Sequence, residues 1–273
     1  MSRIADAFNE ASAAGRMTFM PFITAGDPST VTTAAALKGL RDAGVDLIEL
    51  GFPYSDPIAD GPVIQASYTR ALNADITVEA ILEMMDSLKD EGLPPTLAMV
   101  SFAIIFRYGT EAFARRASET GFSGLIIPDL PADEAEDMAA TAKRHGLDLV
   151  QLIAPTTTPE RTQQILNAST GFVYCVSVAG TTGVRRDLPV ELTEQLKELR
   201  QATQLPLAVG FGISSPEHVS SLENVADGVI VGSAIVKLIA AATSADEASV
   251  SVREFAETMQ SAVAGVKPSP RNQ

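Results

Sequence analysis

Three carboxylates, Glu49, Asp56 and Asp60, follow Asp46 within residues 46–62, whose sequence is DLIELGFPYSDPIADGP. Glu49 interrupts a short apolar run, whereas Asp56 and Asp60 follow in a segment rich in Pro and Gly. Burying an unpaired carboxylate is costly, so an acid inside a buried strand needs a partner or a chemical role. In an apolar setting its pKa rises, which makes a general acid usable near neutral pH. Both aspartates can instead serve as turn or cap residues, and spacing alone does not choose between them.

Strand geometry predicts where the Glu49 side chain points. Successive side chains of a strand point to opposite faces. One face of this strand is wholly apolar and suits packing against helices; it carries Ile48, Leu50 and Phe52. Glu49 is therefore expected to point to the opposite face. A strand shifted by one residue, or a Glu paired with a neighbouring strand, is the alternative.

Short apolar runs alternate with amphipathic, Ala- and Glu-rich segments along the chain. Strands are predicted at 19–24, 47–52, 96–102, 124–128, 148–153, 172–177, 206–210 and 228–231. Eight such strands alternating with helices predict an α/β fold, a single-domain (β/α)8 TIM barrel with an N-terminal helix and an extra C-terminal helix. An open doubly wound sheet is the alternative, but the GxGxxG of its first βα turn does not occur.

We expect residues 1–265 to form this one domain and residues 266–273, VKPSPRNQ, to form a disordered polar tail. With 34 acidic against 20 basic residues, the formal net charge is −14. This balance argues against nucleic acid or an anionic membrane as a partner. A single Cys excludes an intramolecular disulfide, and no apolar stretch reaches the roughly 18 residues of a membrane span. We therefore expect a soluble cytoplasmic protein.

Three Gly-containing segments follow the last three predicted strands: AGTTG at 179–183, GFGIS at 210–214 and VGSA at 231–234. Glycines let backbone N–H groups approach an anion, and a helix N-terminus adds partial positive charge. Barrels often hold a phosphate at the loops after strands 7 and 8. The chain is therefore predicted to bind a phosphorylated small molecule, even though it is acidic overall.

The sequence lacks the residues that several other types of reaction require. No Lys lies in a predicted strand or at its C-terminal end, which makes a Schiff-base aldolase a poor match. No His, Asp and Glu cluster has metal-ligand spacing, and no GxSxG motif or Cys–His arrangement indicates acyl transfer. Cys175 falls inside a predicted strand and is expected to be a buried structural thiol. Acid–base chemistry by carboxylates remains.

The stretch IELGFPYSDPIADGP closely resembles the signature of the tryptophan synthase alpha chain family. The resemblance extends along the chain through MPFITAGDPS, GLIIPDLPADE, LIAPTTTPER, VYCVSVAGTTG, VGFGIS and VGSAIVK. It implies a lyase subunit that cleaves indole-3-glycerol phosphate to indole and glyceraldehyde 3-phosphate in a retro-aldol step. The family's two catalytic carboxylates match Glu49 and Asp60. Glu49 would protonate the indole ring carbon and assist removal of the side-chain hydroxyl proton, while Asp60 would accept from the indole N–H.

The resemblance also implies the substrate-binding residues and the partner. The family's phosphate contacts match Gly183, Gly212, Gly232 and Ser233. Its pocket aromatics match Phe22, Tyr174 and Phe211, and Thr182 matches a hydroxyl that supports Asp60 when the loop closes. A beta subunit would hold pyridoxal phosphate, receive indole through a tunnel and form an alpha2-beta2 tetramer, so no cofactor and no metal are expected in this chain.

One segment departs from the family pattern. Where the family usually shows Tyr-x-Asn-Pro after strand 3, this chain has Phe102, Ile104 and Ile105 in the positions of Tyr, Asn and Pro. The lost hydroxyl and amide belong to a loop that helps form the beta-subunit contact. Two alternatives therefore stay open: a stand-alone indole-releasing lyase, and a weakly catalytic barrel that acts as an allosteric partner.

Overall fold

Eight parallel strands form a closed barrel in the computed structural model, which describes residues 2–57, 60–131, 134–176, 190–210 and 215–270. The strands β1 to β8 are, in chain order, Thr18–Thr24, Ile48–Gly51, Thr96–Met99, Phe122–Ile126, Asp148–Ile153, Val173–Val176, Leu207–Gly210 and Gly228–Val231. Each strand pairs with the next, and β8 pairs with β1. The prediction of a (β/α)8 barrel is confirmed.

The described residues include twelve helices. In chain order, α1 to α12 are Arg3–Ala13, Thr30–Asp42, Pro62–Asn73, Val78–Leu88, Phe102–Tyr108, Thr110–Glu119, Ala135–Arg144, Pro159–Ala168, Val190–Ala202, Pro216–Ser220, Ser233–Ala241 and Ala245–Ala264. The extra C-terminal helix α12 packs closely against α2, because Gly39 has no side chain and a Cβ there would collide with the backbone of Ser249. The predicted N-terminal and C-terminal helices are thus both present.

The two faces of β2 bury different neighbours. Ile48, Leu50 and Phe52 belong to the core between the strands and the helices. Leu47, on the opposite face, belongs to a separate cluster inside the barrel. Glu49 shares the inner face because strand side chains alternate. The predicted orientation of the β2 side chains is confirmed, and the alternative of a strand shifted by one residue is wrong.

Helix α1 closes the N-terminal end of the barrel. The Ser2 hydroxyl caps α1, and its apolar face places Ile4 and Phe8 in the inner cluster at 0% and 1% exposure. The Phe8 ring lies 5.4 Å from that of Phe172, the residue before β6. With this end filled, the end where strands run into βα loops is left for a ligand.

Strand β3 is shorter than predicted. A strand was expected at 96–102, but β3 ends at Met99 and α5 begins at Phe102. The Ser101 hydroxyl caps α5 and donates a 2.6 Å hydrogen bond to Asp129, which follows β4. Apolar composition alone does not distinguish the end of a strand from a short buried helix. The start of α5 is set by the Ser101 cap and by its contact with Asp129, which is distant in sequence.

Residues 266–270 of the polar tail lie against the barrel in this structure. Val266 is buried, and its carbonyl accepts a 3.1 Å hydrogen bond from the N–H of Met17, just before β1. The Ser269 N–H donates at 3.0 Å to the carbonyl of Ala226, close to the start of β8. These backbone contacts at the N-terminal end of the barrel cannot be read from a polar composition.

Candidate active site

Glu49 lies in the centre of the barrel. Its Cα pairs in register with those of Phe22 on β1 and Leu97 on β3, and its side chain is 0% exposed. Neither carboxyl oxygen has a hydrogen-bond partner among the described residues. Burial raises the pKa of Glu49 well above its ordinary value, because the charged form loses water and gains no partner there. The carboxyl group is therefore suited to hold a proton at neutral pH.

Asp60 stands at the entrance to α3. Its N–H donates at 3.1 Å to the carbonyl of Pro57, and the side-chain amide of Gln65 donates at 2.7 Å to the Asp60 carbonyl. These contacts hold the backbone of the loop against the first turn of α3. The Asp60 side chain is partly buried, and this burial raises its pKa to about 6. Its carboxyl group can therefore change charge near neutral pH.

Asp56 has a different environment from Asp60. It is exposed and accepts a 2.6 Å hydrogen bond from the hydroxyl of the adjacent Ser55. A solvated carboxylate of this kind has no physical reason to act as an acid in a buried site. Of the two aspartates, Asp60 is the one whose surroundings suit acid–base chemistry.

Three tyrosines surround the two acidic side chains. Burial raises the pKa of both Tyr68 on α3 and Tyr174 on β6, and the two acids add to it: Asp60 is the stronger of the two at Tyr68, and Glu49 is the stronger at Tyr174. Burial together with Asp60 and Asp129 raises the pKa of Tyr54 to about 12. All three phenols therefore remain neutral hydrogen-bond donors. Of the three, only Tyr174 was predicted for the site.

The sequence contains a weak signal for Tyr68. On α3, Ile64, Tyr68 and Ala71 are spaced by four and three residues and are all buried, which is the inner face of an amphipathic helix. That pattern predicts burial but does not say which strand the ring meets. Tyr54 lies within the carboxylate segment itself, with its ring 5.5 Å from that of Tyr68.

Glycines at the open end of the barrel make room for these rings. A Cβ at Gly51 would lie 2.5 Å from Phe22 Cζ, and a Cβ at Gly210 would collide with the Tyr174 hydroxyl. A Cβ at Gly232 would lie 3.4 Å from the Phe22 ring. The glycines on β2, on β7 and after β8 therefore leave space for two predicted pocket aromatics, Phe22 and Tyr174, to extend across the ends of these strands.

Replacing Gly51 by Ala is expected to lower the free energy of unfolding by about 1–3 kcal/mol, because the added methyl overpacks the interior. The new Cβ would meet Phe22 and, at 2.9 Å, the Tyr68 hydroxyl, so both rings must shift. Urea unfolding measures the change. The control is Gly265→Ala, where the nearest atom is 3.9 Å away; there the change should stay within about 0.5 kcal/mol. Equal effects in the two variants would contradict the close approach at Gly51.

Two predicted phosphate contacts meet at the start of α11. Gly232 is the N-cap of this helix and Ser233 its first residue, and no side chain among the described residues caps it. Ser233 is exposed, so the first N–H groups of α11 are open to an anion. The other predicted residues, Thr182, Gly183, Phe211 and Gly212, lie outside the described residues.

The remaining predictions concern residues away from the acids. Cys175 is buried and its pKa is raised to about 12, which agrees with a structural thiol. Within the described residues, no group of three or more His, Cys, Asp or Glu could hold a metal ion. No described helix is long and apolar enough to cross a membrane.

The substituted segment forms α5. Ile105 is fully buried, Phe102 is partly exposed, and the Phe102 N–H donates at 2.7 Å to the Asp129 carboxylate. The ring of Phe106 lies 6.2 Å from that of Phe102 and is 72% exposed. The segment is therefore a short helix with an apolar outer edge formed by Phe102 and Phe106.

Comparisons with known proteins agree on one family. The family model described as tryptophan synthase alpha chain matches residues 8–264. A tryptophan synthase alpha chain of Thermosynechococcus vestitus is 46% identical over 96% of this chain and 97% of its own length. The crystal structure of the alpha subunit from Legionella pneumophila superposes with a TM-score of 0.88 at 34% identity, covering 97% of this chain and all of that one. A crystal structure of tryptophan synthase from M. tuberculosis superposes with a TM-score of 0.85 at 32% identity, covering 96% of this chain and 100% of that one. This chain belongs to the tryptophan synthase alpha chain family.

Proposed function

We propose that Glu49 and Asp60 carry out the chemistry of this lyase subunit. The chain cleaves indole-3-glycerol phosphate and works with a beta subunit, as its family does. A stand-alone lyase and a weakly catalytic barrel are not favoured. The observation that supports the catalytic roles most directly is the fully buried carboxyl of Glu49 inside the barrel, which has no hydrogen-bond partner among the described residues.

The raised pKa of Glu49 suits a general acid that later acts as a base. Protonated Glu49 gives its proton to C3 of the indole ring, and the ring becomes an indolenine with positive charge at nitrogen. The resulting carboxylate then takes the proton of the side-chain hydroxyl. The bond between C3 and the hydroxyl-bearing carbon breaks, its electron pair restores the indole ring, and the aldehyde of glyceraldehyde 3-phosphate forms. Glu49 ends the cycle protonated, so no metal or Schiff base is required.

Asp60 stabilises the charge that appears during this sequence. With a pKa of about 6 it is largely ionised at neutral pH, and its carboxylate can accept from the indole N–H as positive charge develops. Such stabilisation is strong where water is excluded. Thr182 would support Asp60 when the loop closes. Phe22, Tyr174 and Phe211 would hold the planar indole ring.

The phosphate would be held by backbone groups. The exposed start of α11, at Gly232 and Ser233, supplies N–H groups and the positive end of a helix dipole. Gly183 and Gly212 would add further N–H groups from the two preceding loops. A net charge of −14 does not attract an anion, so the phosphate has to be bound by nearby N–H groups.

The finer features of the assembly are also proposals. We infer that pyridoxal phosphate binds the beta subunit and not this chain, that the complex is an alpha2-beta2 tetramer, and that it works in the cytoplasm. The apolar outer edge of α5, formed by Phe102 and Phe106, lies where the family's loop would meet the partner. It would replace the polar contacts of that loop with an apolar one.

The test is indole release from indole-3-glycerol phosphate by the purified chain, alone and with a beta subunit added. We expect slow release by the chain alone and a rise on adding the partner, with the beta subunit alone as the control. A rise would mean that α5 couples the subunits despite its substitutions. No indole from the complex of a folded chain would contradict the proposed activity, and fast release unchanged by the partner would restore the stand-alone alternative.

A further inference from the structure

Tyr68 has a hydroxyl group at the centre of the site with no role in the scheme above. Its side chain is 1% exposed and belongs to the cluster inside the barrel. A Cβ at Gly51 would lie 2.9 Å from the Tyr68 hydroxyl, so this oxygen sits directly over the inner face of β2. Glu49 lies on the same face of the same strand, two residues earlier, or about 6.6 Å along the strand. The Tyr68 hydroxyl and the Glu49 carboxyl group therefore lie over the same face of β2, although no hydrogen bond joins them in this structure.

Polar contacts on both sides of Tyr68 fix its position. The hydroxyls of Ser67 and Thr24 are 2.7 Å apart and join α3 to β1. Arg70 donates two hydrogen bonds, of 2.8 and 2.7 Å, to the buried carboxylate of Asp27 in the loop after β1. These contacts hold the middle of α3 against the barrel. The Tyr68 ring therefore cannot easily move away from β2.

The charged and titratable groups around Glu49 come from several elements. Asp60, which precedes α3, is the charge that acts most strongly on Tyr68. Glu49 is the charge that acts most strongly on Tyr174, whose hydroxyl lies at Gly210 on β7. Tyr54 interacts with Asp60 and Asp129 rather than with Glu49. Among these phenols, only Tyr68 has its hydroxyl on the strand that carries Glu49.

Resting on the proposed function, we propose that Tyr68 is a positioning residue for Glu49: its hydroxyl donates a hydrogen bond to the Glu49 carboxylate once that group has given up its proton. A donor to the charged form favours ionisation. Without it, a fully buried carboxyl would hold its proton too tightly to pass it to the substrate. The phenol acts through Glu49 and is not required to touch the substrate.

The test is the titration of Glu49 in wild type and in Tyr68→Phe, followed by ¹³C NMR of glutamate-labelled protein with Glu49→Gln used for assignment. Loss of a hydrogen bond to a charged group should raise the Glu49 midpoint by about one pH unit or more. In the cleavage assay, kcat should fall by about tenfold with little change in KM. A merely structural role would leave the midpoint unchanged.

Two controls and one wild-type measurement make the outcome unambiguous. Tyr108→Phe removes a hydroxyl that bonds Glu79 outside the barrel, and Tyr54→Phe removes one that faces Asp60; neither should move the Glu49 midpoint. If Tyr68→Phe does not fold, the Tyr68 ¹³Cζ shift in wild type should follow the Glu49 midpoint. Its failure to do so, or an unmoved midpoint, overturns the proposal. A wild-type chain that releases no indole would contradict the proposed function instead, since the NMR titration needs no turnover.

Discussion

Replacing Glu49 by Gln is expected to lower kcat for the cleavage of indole-3-glycerol phosphate by about 10²–10⁴-fold. The amide has nearly the same shape but can neither deliver a proton to the indole ring nor accept one from the side-chain hydroxyl. Because Glu49 has no hydrogen-bond partner among the described residues, the substitution breaks no contact there. Indole release by the variant in complex with a beta subunit gives the measurement, and turnover near that of wild type would refute the assignment.

The same variant should be more stable than wild type at about pH 8. Burial raises the pKa of Glu49 in the folded chain well above the ordinary 4.5. The folded state therefore keeps a proton that the unfolded state has lost, and stability falls as pH rises from about 4.5 toward the folded pKa. Gln carries no charge and removes this loss. Urea unfolding at acidic and alkaline pH measures how stability changes with pH in each protein, and equal slopes in the two would contradict a buried Glu49 with a raised pKa.

Replacing Asp60 by Asn is expected to lower kcat by about 10²–10³-fold, because a neutral amide cannot stabilise positive charge on the indole nitrogen. The pH profile supplies a second result. Since the pKa of Asp60 is about 6, wild-type kcat/KM should fall as pH drops through this value and the carboxylate becomes protonated. The remaining activity of Asp60→Asn should lack that fall. Steady-state rates across this range test both results.

The matched control is Asp56→Asn. Asp56 lies four residues before Asp60 but is exposed and bonded to the Ser55 hydroxyl. Its loss should change kcat far less than the loss of Asp60. An equal loss in the two variants would mean that the roles of the two aspartates had been separated wrongly.

Residue patterns within single segments were enough to predict the barrel and the direction of the Glu49 side chain. Burial repeats every second residue along a strand, so the apolar residues Ile48, Leu50 and Phe52 required the acid to lie on the opposite face. The regular alternation of apolar runs with amphipathic helices likewise allowed few architectures. Both signals depend on neighbouring residues and can be read one segment at a time.

Contacts between distant segments could not be predicted from such patterns. The Asp129 carboxylate helps start α5 from another βα loop, and backbone bonds to the barrel hold residues 266–270 in place. Which aspartate is partly buried was not readable from spacing, because it depends on how the loop before α3 folds over the barrel. Tyr68 was missed for the same reason. Helical periodicity on α3 indicates a buried ring, but the closure of the barrel sets its hydroxyl over Gly51.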